Sequence, residues 1–572
     1  MKTKLSLLLF SLLTFSIVML LLNDKDDFEY PKRIGSNAIS CTPAKFLLTD
    51  VDTTKQIAPL FENIGDHSYK VSTVNELAQK FFNQGLRLTY AFNHAEAHRS
   101  FMEASRLDSN LAMAYWGQAF VLGPNINDPF PDEERKKNYN EAIAKASKLA
   151  SKATLKEQAL IQALSNRYSK DSTEVSELNM AYMEAMEKVV TNYPNDADIQ
   201  TLYAASVMNT VPWNYWDKDG NPSPNIKEAK AALEKAIEIN PNHPGAHHYY
   251  IHMVELPKPD LAVPSAEKLG GLMPAAGHIV HMPSHIYIRV GRYKDAVIAN
   301  QKAILADEDY ISQCYAQGMY PLGYYPHNIH FLWSASSLLG NSDIAIEAAK
   351  KTAEKVPVGE MKELHFLQSF AATPLLAYTR FGKWNDILTY PKPNDDIKYL
   401  KLIWHYTRGV AFTRKNNLKE AQEELEAIET LIKDPDLENI ASGFDNGTTI
   451  ANLAYEIVAG EIASTKKDFN SAISHLEKAV EMEDLLIYNE PSTWHIPPRQ
   501  NLGAVLMKAK KYSEAEKIYR EDLKDLRQNG WSLMGLHNSL LAQGKDDEAK
   551  DIKEEFNRAW EDANIEINTS IL

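Results

Sequence analysis

The feature that most restricts the fold is a recurring order of small and bulky residues. In a unit of roughly 34 residues, small residues stand at positions 8 and 20, a bulky one at 24 and a small one at 27. Counted from Ala78 these are Gly85, Ala97, Phe101 and Ala104. Counted from Leu453 they are Gly460, Ala472, Leu476 and Ala479. Starts at Leu402 and Ile496 give Gly409, Ala421, Leu425 and Gly503, Ala515, Tyr519. The small positions let two helices approach, and the bulky one fills the space against the next pair. In the middle, Ala229, Leu233, Ala236 and Pro241 close one unit, and further units open at Pro244, Gly277 and Pro326. Agreement is looser there, since position 8 is Ile251 in one unit and Trp333 in another.

From about Asn75 onward the apolar periodicity is helical, and few stretches alternate with period two, so no sheet is expected. The recurring set resembles the tetratricopeptide repeat (TPR), a helix–turn–helix unit. At finer grain, "FNQGLRLTYAFNHAEAHRSF" (82–101), "MAYWGQA" (113–119), "HPGAHHYYIHMVE" (243–255), "AAGHIVHMPSHIYIRVGRY" (275–293) and "YYPHNIHF" (324–331) resemble a group of bacterial TPR proteins. The resemblance covers roughly residues 75–360 and implies an all-α solenoid, a right-handed superhelix of antiparallel helix pairs. It carries no activity with it. The expected division is an export segment at 1–27, a linker at 28–73, TPR-like repeats at 74–395 and C-terminal TPR repeats at 396–572.

Charge narrows the partners. Lys plus Arg number 61 and Asp plus Glu 76, a net −15, so phosphate backbones are repelled and nucleic acid is not an expected partner. At the start, Lys2 and Lys4 precede an apolar run from Leu5 to Leu22, with Asp24, Lys25, Asp26 and Asp27 behind it. That order describes an export signal. No A-x-A site or adjacent cysteine ends the run, which favours an uncleaved membrane anchor over a removed peptide. The rest is then expected outside the cytoplasm, membrane-anchored or periplasmic or secreted. Cys41 and Cys314 form no ligand or redox motif; they are either two thiols or one long-range disulfide.

Histidine placement carries the chemical signal. Nine of 17 histidines lie between His243 and His330, where an even spread would put about 2.6. In units opening at Pro244, Gly277 and Pro326, His248 and His252 take positions 5 and 9. His278, His281 and His285 take 2, 5 and 9, and His327 and His330 take 2 and 5. Spacings of 3, 4 and 7 return to one helical face, and in TPR proteins that face lines the concave groove. Glu255 shares the face, three residues after His252.

Neutral imidazole is the commonest nitrogen ligand of transition metals, and a nearby carboxylate either binds the ion or orients a ligand. The leading expectation is an exported TPR binding protein whose groove holds a divalent transition metal, Zn, Cu or Fe, on His248, His252, Glu255, His278, His281, His285, His327 and His330. Against it stands a metal-free scaffold whose groove binds a protein segment or small ligand, with the histidines in a hydrogen-bonded network. A metal-dependent hydrolase or oxidase is a third reading, requiring an open coordination position. Arg289, Tyr249, Tyr287 and Tyr325 are candidate ligand contacts; for Arg289 a surface salt bridge is the plainer reading. His94 and His98 read as surface or inter-repeat packing, 211–225 as a lip over the groove or inter-helix packing, and His495 as a helix cap. No HExxH, G-x-S-x-G, P-loop, GxGxxG or paired CxxC occurs.

Overall fold

The computed structural model describes residues 54–168, 174–217, 219–313, 320–442 and 445–572. The Leu5–Leu22 run, Cys41, Cys314 and residues 28–53 lie outside the described residues. No helix among the described residues is long and apolar enough to cross a membrane.

Helices follow one another in pairs, from Glu76–Tyr90 with His94–Leu107 to Gly530–Ala542 with Asp546–Ala559. The only strands among the described residues are Ala441–Ser442 and Asp445–Asn446, an antiparallel pair. Close approach explains the glycines. A Cβ on Gly85 would fall 2.7 Å from the Phe101 ring, and one on Gly117, in the next pair, 2.5 Å from the same ring. Phe101 is thus wedged between its own pair and its neighbour. Tyr519 repeats the arrangement between Gly503 and Gly535, at 2.4 and 2.3 Å. Each bulky side chain excludes water from two inter-helix seams at once, which stacks the units.

Local chemistry starts the helices where the pattern places them. Asn75 accepts from the Leu77 and Ala78 amides, and Thr154 with Glu157 forms a capping box. Between the two helices of many pairs, one residue adopts positive φ. Gly291, Gly340, Gly382 and Gly544 fill this turn, as do Asn416, Lys467 and Lys510. In the first pair the same place is taken by Phe92, at φ 56.

Residues 54–73 form no helix and bury Ile57, Ile64, Tyr69 and Val71. At the other end the last helix pairs meet the middle ones. The two Nη groups of Arg527 donate to Asp260 at 2.7 and 2.9 Å, and Trp531 Nε1 donates to the Ser337 carbonyl at 3.0 Å.

Candidate metal centre

Three successive first helices build the site. Pro244–Val254 carries His248 and His252, and Glu255 follows at its end. The next is interrupted into Gly277–His281 and Pro283–Arg289, because Pro283 has no N–H to give. Met282 nevertheless keeps helical angles (φ −52, ψ −35), so the rotation continues and His278, His281 and His285 stay on one side. Tyr325–Leu339 supplies His327.

These side chains form a continuous belt of six imidazoles. Ring centroids lie 5.0 Å apart for His248–His252 and for His248–His278. The separation is 5.8 Å for His278–His281, and 4.8 Å for His281–His285 and His281–His327. Potential ligand atoms fall within 4.8 Å of one another in three overlapping groups: His248/His252/His278, His281/His285/His327, and His252/Glu255/His285. All these residues are buried except His327, which is half-buried.

The decisive detail is where the protons sit. Asn300 Nδ2 donates to the Ala296 carbonyl at 2.7 Å, which fixes the amide so that Oδ1 faces His281 Nδ1 at 2.6 Å. His281 therefore carries its proton on Nδ1, and its Nε2 presents a lone pair. That Nε2 lies 2.9 Å from His285 Nε2, while His285 Nδ1 lies 2.9 Å from Glu255 Oε2. A neutral His285 has one proton for two electron-rich neighbours. Whichever it serves, the other contact sets two lone pairs face to face, and only an added cation resolves it. A second proton on His285 would serve this contact alone. A metal ion would serve it at the right spacing, since bonds of about 2.0–2.1 Å place two nitrogen ligands roughly 2.9–3.4 Å apart.

The other half of the belt needs partners too. His248 donates Nδ1–H to the Tyr90 carbonyl at 2.6 Å, which leaves its Nε2 bare. His248 Nε2, His252 Nε2 and both ring nitrogens of His278 are buried without a partner. Buried polar atoms are rarely left so. The outward hydrogen bonds from His248 and His281 also match the way metal-binding imidazoles are oriented.

Electrostatics keeps the rings in the ligand form. Burial, reinforced by neighbouring imidazoles, pulls His248, His278, His281 and His327 well below the ordinary histidine range. Burial also lowers His252. Burial works against the Glu255 carboxylate, but His285 and then His252 hold it down to about 2. The site is one carboxylate among mostly neutral imidazoles, a donor set suited to Zn, Cu or Fe.

A fourth cluster, His67/Asp198/His243, has the same residue types and a different logic. Asp198 Oδ1 accepts from Tyr90 Oη at 2.8 Å and from His67 Nε2 at 2.9 Å. His243 Nδ1 accepts the Ala246 amide at 3.0 Å, leaving its proton on Nε2, which approaches Asp198 at 3.2 Å. Each close contact here sets a proton toward a carboxylate oxygen, although His243 Nε2 makes no full hydrogen bond, and the cluster reads as a structural network tying residues 54–73 to the repeats.

A cavity of about 1040 Å³ opens beside the belt, with His252, His278, His285 and His327 in its wall. The structure does not bring every expected residue to it. His330 borders the cavity but stands outside the ligand groups, turned toward Trp333 and Phe370 at 4.8 and 5.2 Å. On that helix Phe331, one turn beyond His327, packs on His281 and His285 at 4.8 and 4.7 Å. Tyr249 packs behind the belt against Phe92 at 5.5 Å. Tyr287 lies under Arg292, and Tyr325 donates to Glu308 at 2.8 Å; neither lines the cavity. Arg289 is half-buried over the Tyr488 ring at 5.8 Å, with its Nε buried and unpaired, so it is not a surface salt bridge.

Two readings of flanking residues change. His94 borders the cavity instead of packing elsewhere, and burial takes it down to about 3. His495 caps no helix: the Pro498–Lys508 helix has no side-chain cap, and His495 stacks on Trp333 at 3.8 Å. Pro212 and Trp213 do line the cavity, Trp213 lying edge-on to His252 at 5.1 Å, while Trp216 Nε1 donates to the Met253 carbonyl. Sequence reasoning missed Phe92, whose ring is parallel to His252 (interplanar angle 1°), and Tyr488–Pro491, contributed from the C-terminal repeats. A signal for Phe92 existed: it is an aromatic residue in a turn that other repeats give to Gly, Asn or Lys.

The family model of the tetratricopeptide repeat matches residues 225–243. No curated protein sequence matches the chain. Among solved structures, a human IFIT1 dimer with PPP-AAAA is 14% identical with a TM-score of 0.34, covering 78% of this chain and 90% of that one. Yeast Tom70 is 15% identical with a TM-score of 0.29, covering 84% of this chain and 93% of that one. With its stacked helix pairs and the matching repeat, the chain has the fold of a tetratricopeptide-type helical-repeat solenoid.

Proposed function

We propose that this chain is a ligand-binding TPR protein whose histidine belt holds one or two divalent transition-metal ions beside the cavity. The observation that carries the reading is the set of buried imidazole nitrogens left without hydrogen-bond partners, beside the 2.9 Å contact between His281 Nε2 and His285 Nε2. His281, His285 and His327 offer one facial triad, and His248, His252 and His278 another, with Glu255 placed between them. In this reading the site works outside the cytoplasm, which rests on the Leu5–Leu22 run alone.

Elemental analysis of natively purified protein tests it, with a His281→Ala/His285→Ala variant beside the wild type. Near-stoichiometric metal that drops in the folded double variant supports the reading. Absence of metal from the wild type, with the belt intact, rejects it in favour of a metal-free scaffold for a protein segment.

A further inference from the structure

We infer that the metal presents an open coordination position to the cavity, and that the cavity admits an aromatic nitrogen- or oxygen-donor molecule that is neutral or cationic. This rests on the metal reading above. Within the belt, His248 and His281 are tied by Nδ1 to Tyr90 and Asn300, and neither lines the cavity. His252, His278, His285 and His327 do line it. An ion held on this wall has protein donors on one side and open space on the other, the arrangement that accommodates an exogenous ligand.

The space facing that position is sized and walled for a flat organic molecule. Its volume of about 1040 Å³ is at the upper end of small-molecule sites. Phe92, Trp213, Tyr324, Phe370 and Tyr488 contribute to the wall, and aromatic faces favour stacked or edge-on aromatic partners. Phe92 and Trp213 hold positive φ of 56 and 62. Bulky residues adopt that conformation only where surrounding structure imposes it, and such strain gathers at binding sites.

Charge selects against acids. Asp128, Asp132, Glu360 and Glu363 border the cavity, while Arg135 is the one Lys or Arg among its described lining residues. Arg135 is spent on an ion pair with Asp128 and on the Leu122 carbonyl. An entering carboxylate therefore meets uncompensated negative charge.

Full-length protein loaded with cobalt(II) provides the test, read by visible absorption. It is titrated with 4-phenylimidazole and with its 4-carboxyphenyl analogue, in the wild type and in Glu360→Gln/Glu363→Gln. The neutral probe should shift the cobalt bands and bind about tenfold or more tightly than the acid, a gap the double variant narrows to roughly threefold. Cobalt bound but bands unmoved by 4-phenylimidazole overturns the open position. Equal or tighter binding of the acid to the wild type overturns the charge selection. Failure to bind cobalt, seen before any probe is added, overturns the metal reading and this inference with it.

Discussion

Replacing Asn300 by Leu changes a residue that touches no ion yet should weaken metal binding. Asn300 is fully buried; its Oδ1 takes the His281 Nδ1 proton at 2.6 Å and its Nδ2 is tied to the Ala296 carbonyl. Leucine keeps the branched outline of asparagine and has no acceptor, so His281 loses the partner that orients it. Removing such an outer hydrogen bond typically costs 10–100-fold in metal affinity, or about 1.4–2.8 kcal/mol. Ser284 Oγ, 3.3 Å from the same nitrogen, offers a weaker substitute acceptor. The single variant should therefore sit near the tenfold end, and Asn300→Leu/Ser284→Ala near the hundredfold end. Competition titration against a chromophoric chelator gives the affinity, with circular dichroism checking the fold. Affinity unchanged within about twofold in both variants would refute the argument that His281 Nε2 is a ligand held by Asn300.

Three further outcomes follow from the same geometry. Phe101→Ala removes the ring wedged between Gly85 and Gly117, so urea unfolding should show a loss of about 3–5 kcal/mol from the first repeats; a loss under 1 kcal/mol contradicts the stacking role. Asp198→Ala strips His67, His243 and Tyr90 of their shared acceptor and should cost about 3–5 kcal/mol with metal content unchanged; metal loss with the fold intact would make that cluster a binding site. Glu96 is buried, and burial, only partly opposed by Arg99, lifts its carboxyl to about 7. Because the folded form holds this proton longer than the unfolded chain, stability contributed below the ordinary carboxylate range is lost as pH rises toward 7. Wild-type stability should decline by roughly 3 kcal/mol across that window and Glu96→Gln should flatten the decline; parallel curves contradict it.

The repeats were legible because their signal is steric and local. Gly85, Gly409, Gly460 and Gly503 mark positions where a Cβ would strike Phe101, Val458, Leu476 or Tyr519, and no other residue type meets that demand. The belt was legible in part for the same reason: spacings of three, four and seven on consecutive first helices fix a shared face. His330 escaped the pattern because the Tyr325–Leu339 helix presents the His327–Phe331 edge, a rotation that its looser repeat phase did not reveal. Phe92, Tyr488 and the Asp198 cluster depend on contacts between distant parts of the chain, as Asp198 with Tyr90 and His67, 108 and 131 positions away, or His248 with Tyr90, 158 away. Periodicity within one helix carries no information about those. The tautomers are a further step removed, since they follow from which amide Asn300 can satisfy.

The sharpest test of a metal on the belt is diffraction from crystals of natively purified protein, recorded on both sides of the metal's absorption edge. An anomalous peak should lie between the Nε2 atoms of His281 and His285, within bonding reach of His327 or Glu255. A clean map with no anomalous signal anywhere along the belt, and water or a doubly protonated His285 closing the 2.9 Å contact, would contradict it.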